Sequence, residues 1–219
     1  MEMTSGYKSI DLKTWKRAPY YEYYAHGSKG MCAMTGNIDV SSLYSKCKAS
    51  NKDFLISILY VISIALNKHE EFKVGYCAEN GELMIWDEIN PIFRVFHKDT
   101  ELFTRVWTKF TKDFKGFYDG CQKTIDEGLK LTSLNAHDIP DNAFEISHVP
   151  FSFTSVNVKM SESGKYFSPI LTTGKTFEEN GTVKMPIAMQ ISHAVADGFH
   201  IARFFDEVKE EAEKLAASI

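Results

Sequence analysis

The sequence predicts an α+β fold built on a large mixed β-sheet flanked by helices, and three observations lead there. Apolar residues recur at helical spacing over residues 53–67 and again over 201–215. Between them runs a succession of short β-branched and aromatic segments, two of them set off by Asn-Gly turns at 80–81 and 180–181. The order of these elements is irregular, without the β-α-β alternation of a purely parallel sheet.

Taken in order, residues 1–17 read as a short strand-like stretch and a turn. Asp39, Ser41 and Ser42 are helix-start residues, so a short helix is expected over 40–48. Phe54, Ile58, Val61, Ile62 and Ala65 mark the stronger helix over 53–67. Residues 73–77 and 82–87 flank Asn80-Gly81 as a hairpin. A strand follows at 93–96, and 103–108 either widens the sheet or opens a helix. Residues 110–130 have a helical pattern, but Gly116, Gly120 and Gly128 predict a break. Strands are expected at 144–148, 151–160 and 167–173. Residues 185–192 (MPIAMQIS) are nearly all apolar, as a central strand should be. The last helix presents Ile201, Phe204, Phe205, Val208, Ala212 and Leu215 on one face and charged residues on the other.

No repeat, low-complexity stretch or linker divides the 219 residues, which predicts one domain over 1–219. The formal net charge of −4 disfavours general nucleic-acid binding, which rests on clustered Lys and Arg. The first residues hold no apolar run, so no secretory leader is expected, and the apolar stretch at 54–66 is too short for a bilayer. Cys32, Cys47, Cys77 and Cys121 form no CxxC pair and fit a reducing cytoplasm. His26, His69, His97, His137 and His148 lack ligand-like spacing, so no metal is expected. Thr173-Gly174-Lys175-Thr176 has the tail of a phosphate-binding loop, but Pro169 stands where its first glycine belongs.

The sharpest local feature is His193-x-x-x-Asp197-Gly198, between the apolar strand and the last helix. An imidazole at the end of a rigid strand is well placed to act as a general base. Asp197 would orient the loop by pairing with a cation, and Gly198 would permit a turn at positive φ. A core His beside an Asp is the competing interpretation of the same residues.

Collinear blocks carry a resemblance beyond that motif. They are Trp15-Lys16-Arg17 followed by Tyr20–Tyr24, FHKDTELF at 96–103, SFTS at 152–155, SPILT at 168–172 and MPIAMQISHAVADGFHIARF at 185–204. Together they resemble the chloramphenicol acetyltransferases, a family of CoA-dependent acyltransferases with an HxxxDG motif. The resemblance implies that family's fold and a homotrimer with active sites between subunits. It also implies acetyl transfer from acetyl-CoA to a hydroxyl of chloramphenicol, by direct attack in a ternary complex and without a metal. His193 matches the general base, Ser155 an oxyanion donor and Thr172 a water-positioning residue. Arg17 and Asp197 match a buried ion pair, and Tyr24 and Phe103 match aromatics of the acceptor pocket. On this view His193 and Tyr24 come from different subunits, and His200 packs or caps. The sequence departs from the pattern at Ser192, Ala196, Phe151 and Thr176, which bears on CoA affinity and acceptor fit. Two alternatives stay open: the same chemistry on another small alcohol, and a non-catalytic ligand-binding relative.

Overall fold

The computed structural model describes residues 6–77, 79–158 and 165–219. Strand β1 (Tyr7–Ser9) is followed by a short helix α1 (Ala18–Tyr21) that runs on as a π-helical stretch, Glu22–Ser28. Then come β2 (Met31–Asp39), α2 (Ser41–Ala49) and α3 (Phe54–Asn67). The hairpin β3 (Val74–Tyr76) and β4 (Leu83–Trp86) precedes β5 (Asn90–His97) and β6 (Leu102–Trp107). Helix α4 (Phe114–Gly128), β7 (Ala143–His148), β8 (Ile170–Thr173), β9 (Phe177–Glu179), β10 (Thr182–Ser192) and α5 (Gly198–Ser218) complete the chain.

The main sheet runs β2-β10-β8-β7-β5-β6, with β9 paired to β10, and β1-β4-β3 form a small second sheet. The main sheet is mixed, because β7 lies parallel to both β5 and β8 while the other pairs are antiparallel. Strand alternation sorts its faces. Met185, Ile187, Met189 and Ile191 of β10, with Leu171 of β8 and Ile146 of β7, enter the core with α3 and α5. On the opposite face, which we call outer, β10 carries Ala188 and Gln190, β8 Thr172, β7 Glu145 and Ser147, β5 Arg94 and Phe96, and β6 Phe103 and Arg105.

Local chemistry explains the element boundaries. The Asp53 side chain accepts from Ile56 N at 3.0 Å and starts α3. Asn180 and Gly181 take positive φ (52° and 76°) in the tight turn from β9 to β10.

Three expectations are overturned. Helix α4 is unbroken, because its glycines serve close packing. A Cβ at Gly128 would stand 2.8 Å from a Val106 methyl carbon, and one at Gly120 would stand 3.1 Å from Thr108 Oγ1. Residues 151–158 form no strand. Phe153 packs on Gly174, Lys175 N donates to the Phe151 carbonyl (3.0 Å) and Val158 N donates to Gln190 Oε1 (2.9 Å). That segment lies over the outer face and leaves the strand positions to its neighbours; residues 159 and 160 of the expected strand fall outside the described residues. Strand β8 starts only at Ile170, because Pro169 lacks an N–H and Phe167 turns into the core.

The sheet is not continuous across its middle. Strands β5 and β7 pair only from Asn90↔Ala143 to Ile92↔Glu145. Beyond that point each stays paired on its other side, β5 with β6 as far as His97 and β7 with β8 as far as His148. The two strands therefore splay apart and leave a gap.

Candidate active site

The HxxxDG residues sit in a turn fixed from several sides. His193 N donates to the Gly30 carbonyl (3.0 Å), and Val195 N and Ala196 N return to Ser192 O (3.1 and 3.2 Å). Ala194, Val195 and Ala196 are fully buried, so the turn has no room to rock. The His193 ring stacks on Tyr24 of the same chain, with centroids 4.1 Å apart and planes within 2°. This corrects the expectation that Tyr24 reaches His193 from a neighbouring subunit: the π-helical stretch carries it there within one chain. Among the described residues His193 Nδ1 is buried without a hydrogen-bond partner, which leaves Nε2 to meet a substrate.

Arg17 clamps the turn from outside. Its Nη1 lies 3.2 Å from Asp197 Oδ2, Nη2 donates to the His193 carbonyl (3.2 Å) and Nε to the Ala194 carbonyl (3.4 Å). The guanidinium also covers the Tyr20 ring at 4.9 Å. Asp197 Oδ1 accepts from Phe199 N (3.1 Å) and lies 2.8 Å from His200 Nδ1, so Asp197 caps α5. Burial alone would raise the Asp197 carboxyl, but hydrogen bonds and charge from Arg17 and His200 hold it below the usual carboxylate range. The pair is partly exposed (16% for Arg17, 31% for Asp197), not fully buried as expected. Cys32, on β2 opposite Ile191, has its thiol pushed up by burial and then by the Asp197 charge.

Gly198 does not take positive φ, which corrects the turn argument. A Cβ there would stand 2.6 Å from Met34 Cε of β2, the free end of a flexible side chain.

The remaining predicted residues lie elsewhere in the chain. Thr172 is buried on β8 opposite Ala188. His193 lies five residues further along the β10 chain, roughly 16 Å away at strand rise. Ser155 is exposed in the segment anchored by Phe151 and Val158, over the same outer face as Thr172. Phe103 is half-exposed on the edge strand β6, four strand steps from β10 and so roughly 19 Å across the sheet. Arg17, Tyr24, His193, Asp197 and Gly198 thus form one group, Ser155 and Thr172 a second, and Phe103 stands apart.

A mainly apolar cavity of about 310 Å³ lies beside the second group. Consecutive residues line it from both splayed strands, Phe93 to Phe96 of β5 and Ile146 to His148 of β7. A space touched by both faces of two strands passes between them. Asp53 and Leu55 at the start of α3 stand on its helical side, and Arg94 and Ser147 on its outer side. Sequence reasoning passed over Arg94 and Ser147. Their signal was an Arg inside the apolar run PIFRVFH and a small polar residue in AFEISH, both at outward-facing positions.

The mixed sheet is interrupted, and a histidine turn closes β10, its longest strand. A solved chloramphenicol acetyltransferase superposes with a TM-score of 0.84 at 23% identity, over 94% of this chain and 99% of that one. The catalytic core of a 2-oxoacid dehydrogenase multienzyme complex from Thermoplasma acidophilum follows the same fold at 0.66 and 16%, over 94% and 98%. The family profile of chloramphenicol acetyltransferase matches residues 5–209. Chloramphenicol acetyltransferases from Clostridium butyricum and Campylobacter coli are each 35% identical, over 94% and 93% of this chain and 95% and 97% of theirs. The chain belongs to the chloramphenicol acetyltransferase family and is an acyltransferase.

Proposed function

We propose that this protein transfers the acetyl group of acetyl-CoA to a hydroxyl of chloramphenicol, and that it does so as a homotrimer with each site shared by two subunits. The observation that carries this reading is the separation of the predicted groups. His193 with Tyr24 lies roughly 16 Å along the strand from Thr172, yet a base and an oxyanion donor must meet the same reacting carbon. A second copy placed with its outer face against the His193 turn brings the groups together. Exposed Phe96 and Phe103 on that face supply apolar surface for the contact and for the acceptor.

In this site His193 Nε2 takes the proton from the acceptor hydroxyl as its oxygen attacks the thioester carbonyl carbon. The carbonyl π electrons move to oxygen, and Ser155 Oγ–H donates to that oxyanion, an interaction worth roughly 3 kcal/mol. Thr172 holds a water beside the same intermediate. Collapse breaks the carbon–sulfur bond, and the leaving thiolate recovers the proton from His193. Asp197 touches the Arg17 clamp and the α5 cap but not the imidazole, so its part is to hold the turn. The cavity through the sheet admits the acyl-thioester arm from the α3 side while the acceptor enters from the outer side. Inactivation of the antibiotic confers resistance, and the setting is the cytoplasm, where acetyl-CoA is made and free thiols persist.

Release of CoA thiol, followed spectrophotometrically with and without chloramphenicol, tests the reading. Release that depends on chloramphenicol is expected. Release with other small alcohols but not chloramphenicol would replace the acceptor, and absence of release with any alcohol would point to a binding protein on this fold.

A further inference from the structure

We propose that Arg94 is a specificity-determining residue for the acyl donor: beside the gap between β5 and β7, its guanidinium bounds the outer end of the cavity against acyl chains longer than acetyl. This rests on the reading that the donor enters by that cavity.

Arg94 fills the place where the sheet comes apart. Ile92↔Glu145 is the last pair joining β5 to β7, and Arg94 is the next outward-facing residue of β5. Its Nη1 donates to the Ile146 carbonyl at 3.0 Å, a main-chain acceptor that the splay leaves without a partner on β5. The guanidinium thus replaces a missing rung of the ladder at the end of the gap nearest the last β5–β7 pair.

The side chain is held there. Arg94 Nη2 lies 2.5 Å from Glu145 Oε2, and the other carboxylate oxygen pairs with Arg105 Nη2. Arg105 is itself tied to Asn135 Oδ1 at 3.0 Å. Glu145 is only 13% exposed, so the carboxylate is a fixed post between two guanidiniums. Arg105 does not line the cavity; Arg94 does.

Elsewhere the cavity wall is largely hydrocarbon, with Leu55, Leu59, Phe93, Val95 and Ile125 among it. Arg94 stands at the end where chemistry must occur. Across the gap lies Ser147, and Thr172 is its register partner on β8. An acyl group brought to Ser155 and Thr172 meets the guanidinium just beyond. A longer alkyl tail must displace Arg94 from its two partners or lie against a charge, both unfavourable. Whether a site accepts or refuses one methylene changes selectivity roughly 10–200-fold.

The experiment measures kcat/KM and equilibrium affinity for acetyl-, butyryl- and hexanoyl-CoA on the assembled protein. The proteins are wild type, Arg94→Ala, Arg94→Met, Arg105→Ala and Leu55→Trp, each with its Tm. Wild type should favour acetyl over butyryl by about tenfold or more, and Arg94→Ala should reduce that to about threefold or less. Arg94→Met, which keeps bulk and loses charge, separates refusal by size from refusal by polarity. Arg105→Ala should lower Tm as much as Arg94→Ala and leave the chain-length profile alone, since a merely structural triad moves only Tm. Leu55→Trp, at the helical side, should weaken every donor alike. If the Arg94→Ala profile matched wild type while Leu55→Trp still weakened all donors, the role of Arg94 would be overturned and the entry route would stand. If Leu55→Trp changed nothing, the entry route itself would fall and Arg94 with it. Should Arg94→Ala and Arg94→Met both fail to fold, Arg94→Lys keeps the charge beside Glu145 and removes only the reach to Ile146. It must still relax the selection for acetyl, and an unchanged profile in it overturns the role.

Discussion

The rings of Tyr24 and His193 lie parallel within 2° at 4.1 Å, and both belong to one chain. With Nδ1 buried and without a partner among the described residues, this stack and the main-chain bond to Gly30 orient the imidazole. Orientation and proton transfer are therefore separable. His193→Ala should lower kcat by at least about a hundredfold, because the base itself is gone. Tyr24→Leu keeps the base but loosens the ring, and should cost about tenfold in kcat. A Tyr24→Leu enzyme as inactive as His193→Ala would mean that the phenol ring does more than hold the imidazole.

If the site is shared between copies, two dead subunits can make a live site. Chains with His193→Ala and chains with Ser155→Ala are each expected to be poorly active alone. In mixed trimers formed from equal amounts, a site pairing an intact His193 with a neighbour's intact Ser155 arises about one time in four. Co-expression should therefore restore about a quarter of wild-type kcat per site. Activity no higher than the better of the two variants would place both residues in one chain's site and sink the shared arrangement.

Much of the fold was legible because it rests on local patterns. The amphipathic face of α5, the Asp53 cap of α3 and the Asn-Gly turns are written in adjacent residues. Residues 151–158 misled because Phe151, Phe153 and Val156 look like a strand, while their anchors, Gly174 and Gln190, are far away in sequence. The glycines of α4 misled for a related reason, since propensity cannot register how close Val106 comes. Within the site, the HxxxDG turn is a compact motif, whereas Arg17, 180 residues from Asp197, was tied to it only by the family resemblance. The stacking of Tyr24 and the Arg94–Glu145–Arg105 triad depend on a π-helical stretch and a sheet gap that no residue pattern announces.

Cys121 lines the cavity wall but should not react. Burial pushes its thiol up to about 12, although a hydrogen bond with Thr108 acts in the other direction. At pH 8 almost none is thiolate, the nucleophilic form. Iodoacetamide should leave Cys121 unmodified in the folded protein and label it once denaturant is added, as read by peptide mass mapping. Rapid labelling without unfolding would show that the α4 side of the cavity opens to solvent.

The Arg17–Asp197 pair should reveal itself through stability and its pH dependence. Asp197 has a lowered folded-state pKa, so its contribution is fully present above the unfolded carboxylate value, about 3.9. It is lost as pH falls through the lower, folded value. Asp197→Asn removes that contribution at neutral pH and leaves Arg17 without a counter-charge. With Asp197 31% exposed, the cost should be about 1–2 kcal/mol, below that of a fully buried pair. The Tm gap between wild type and Asp197→Asn should be widest from about pH 5 upward and should narrow as pH falls below about 3.9 toward the lowered folded value. Arg17→Ala removes the clamp on the His193 and Ala194 carbonyls as well as the charge, so it should cost more turnover than Asp197→Asn. The double variant Arg17→Ala with Asp197→Asn should lose less stability than the two single losses added, because no unpaired charge remains. If Asp197→Asn abolished turnover with an unchanged Tm and a flat pH dependence of stability, Asp197 would be acting on the proton chemistry and not on the turn.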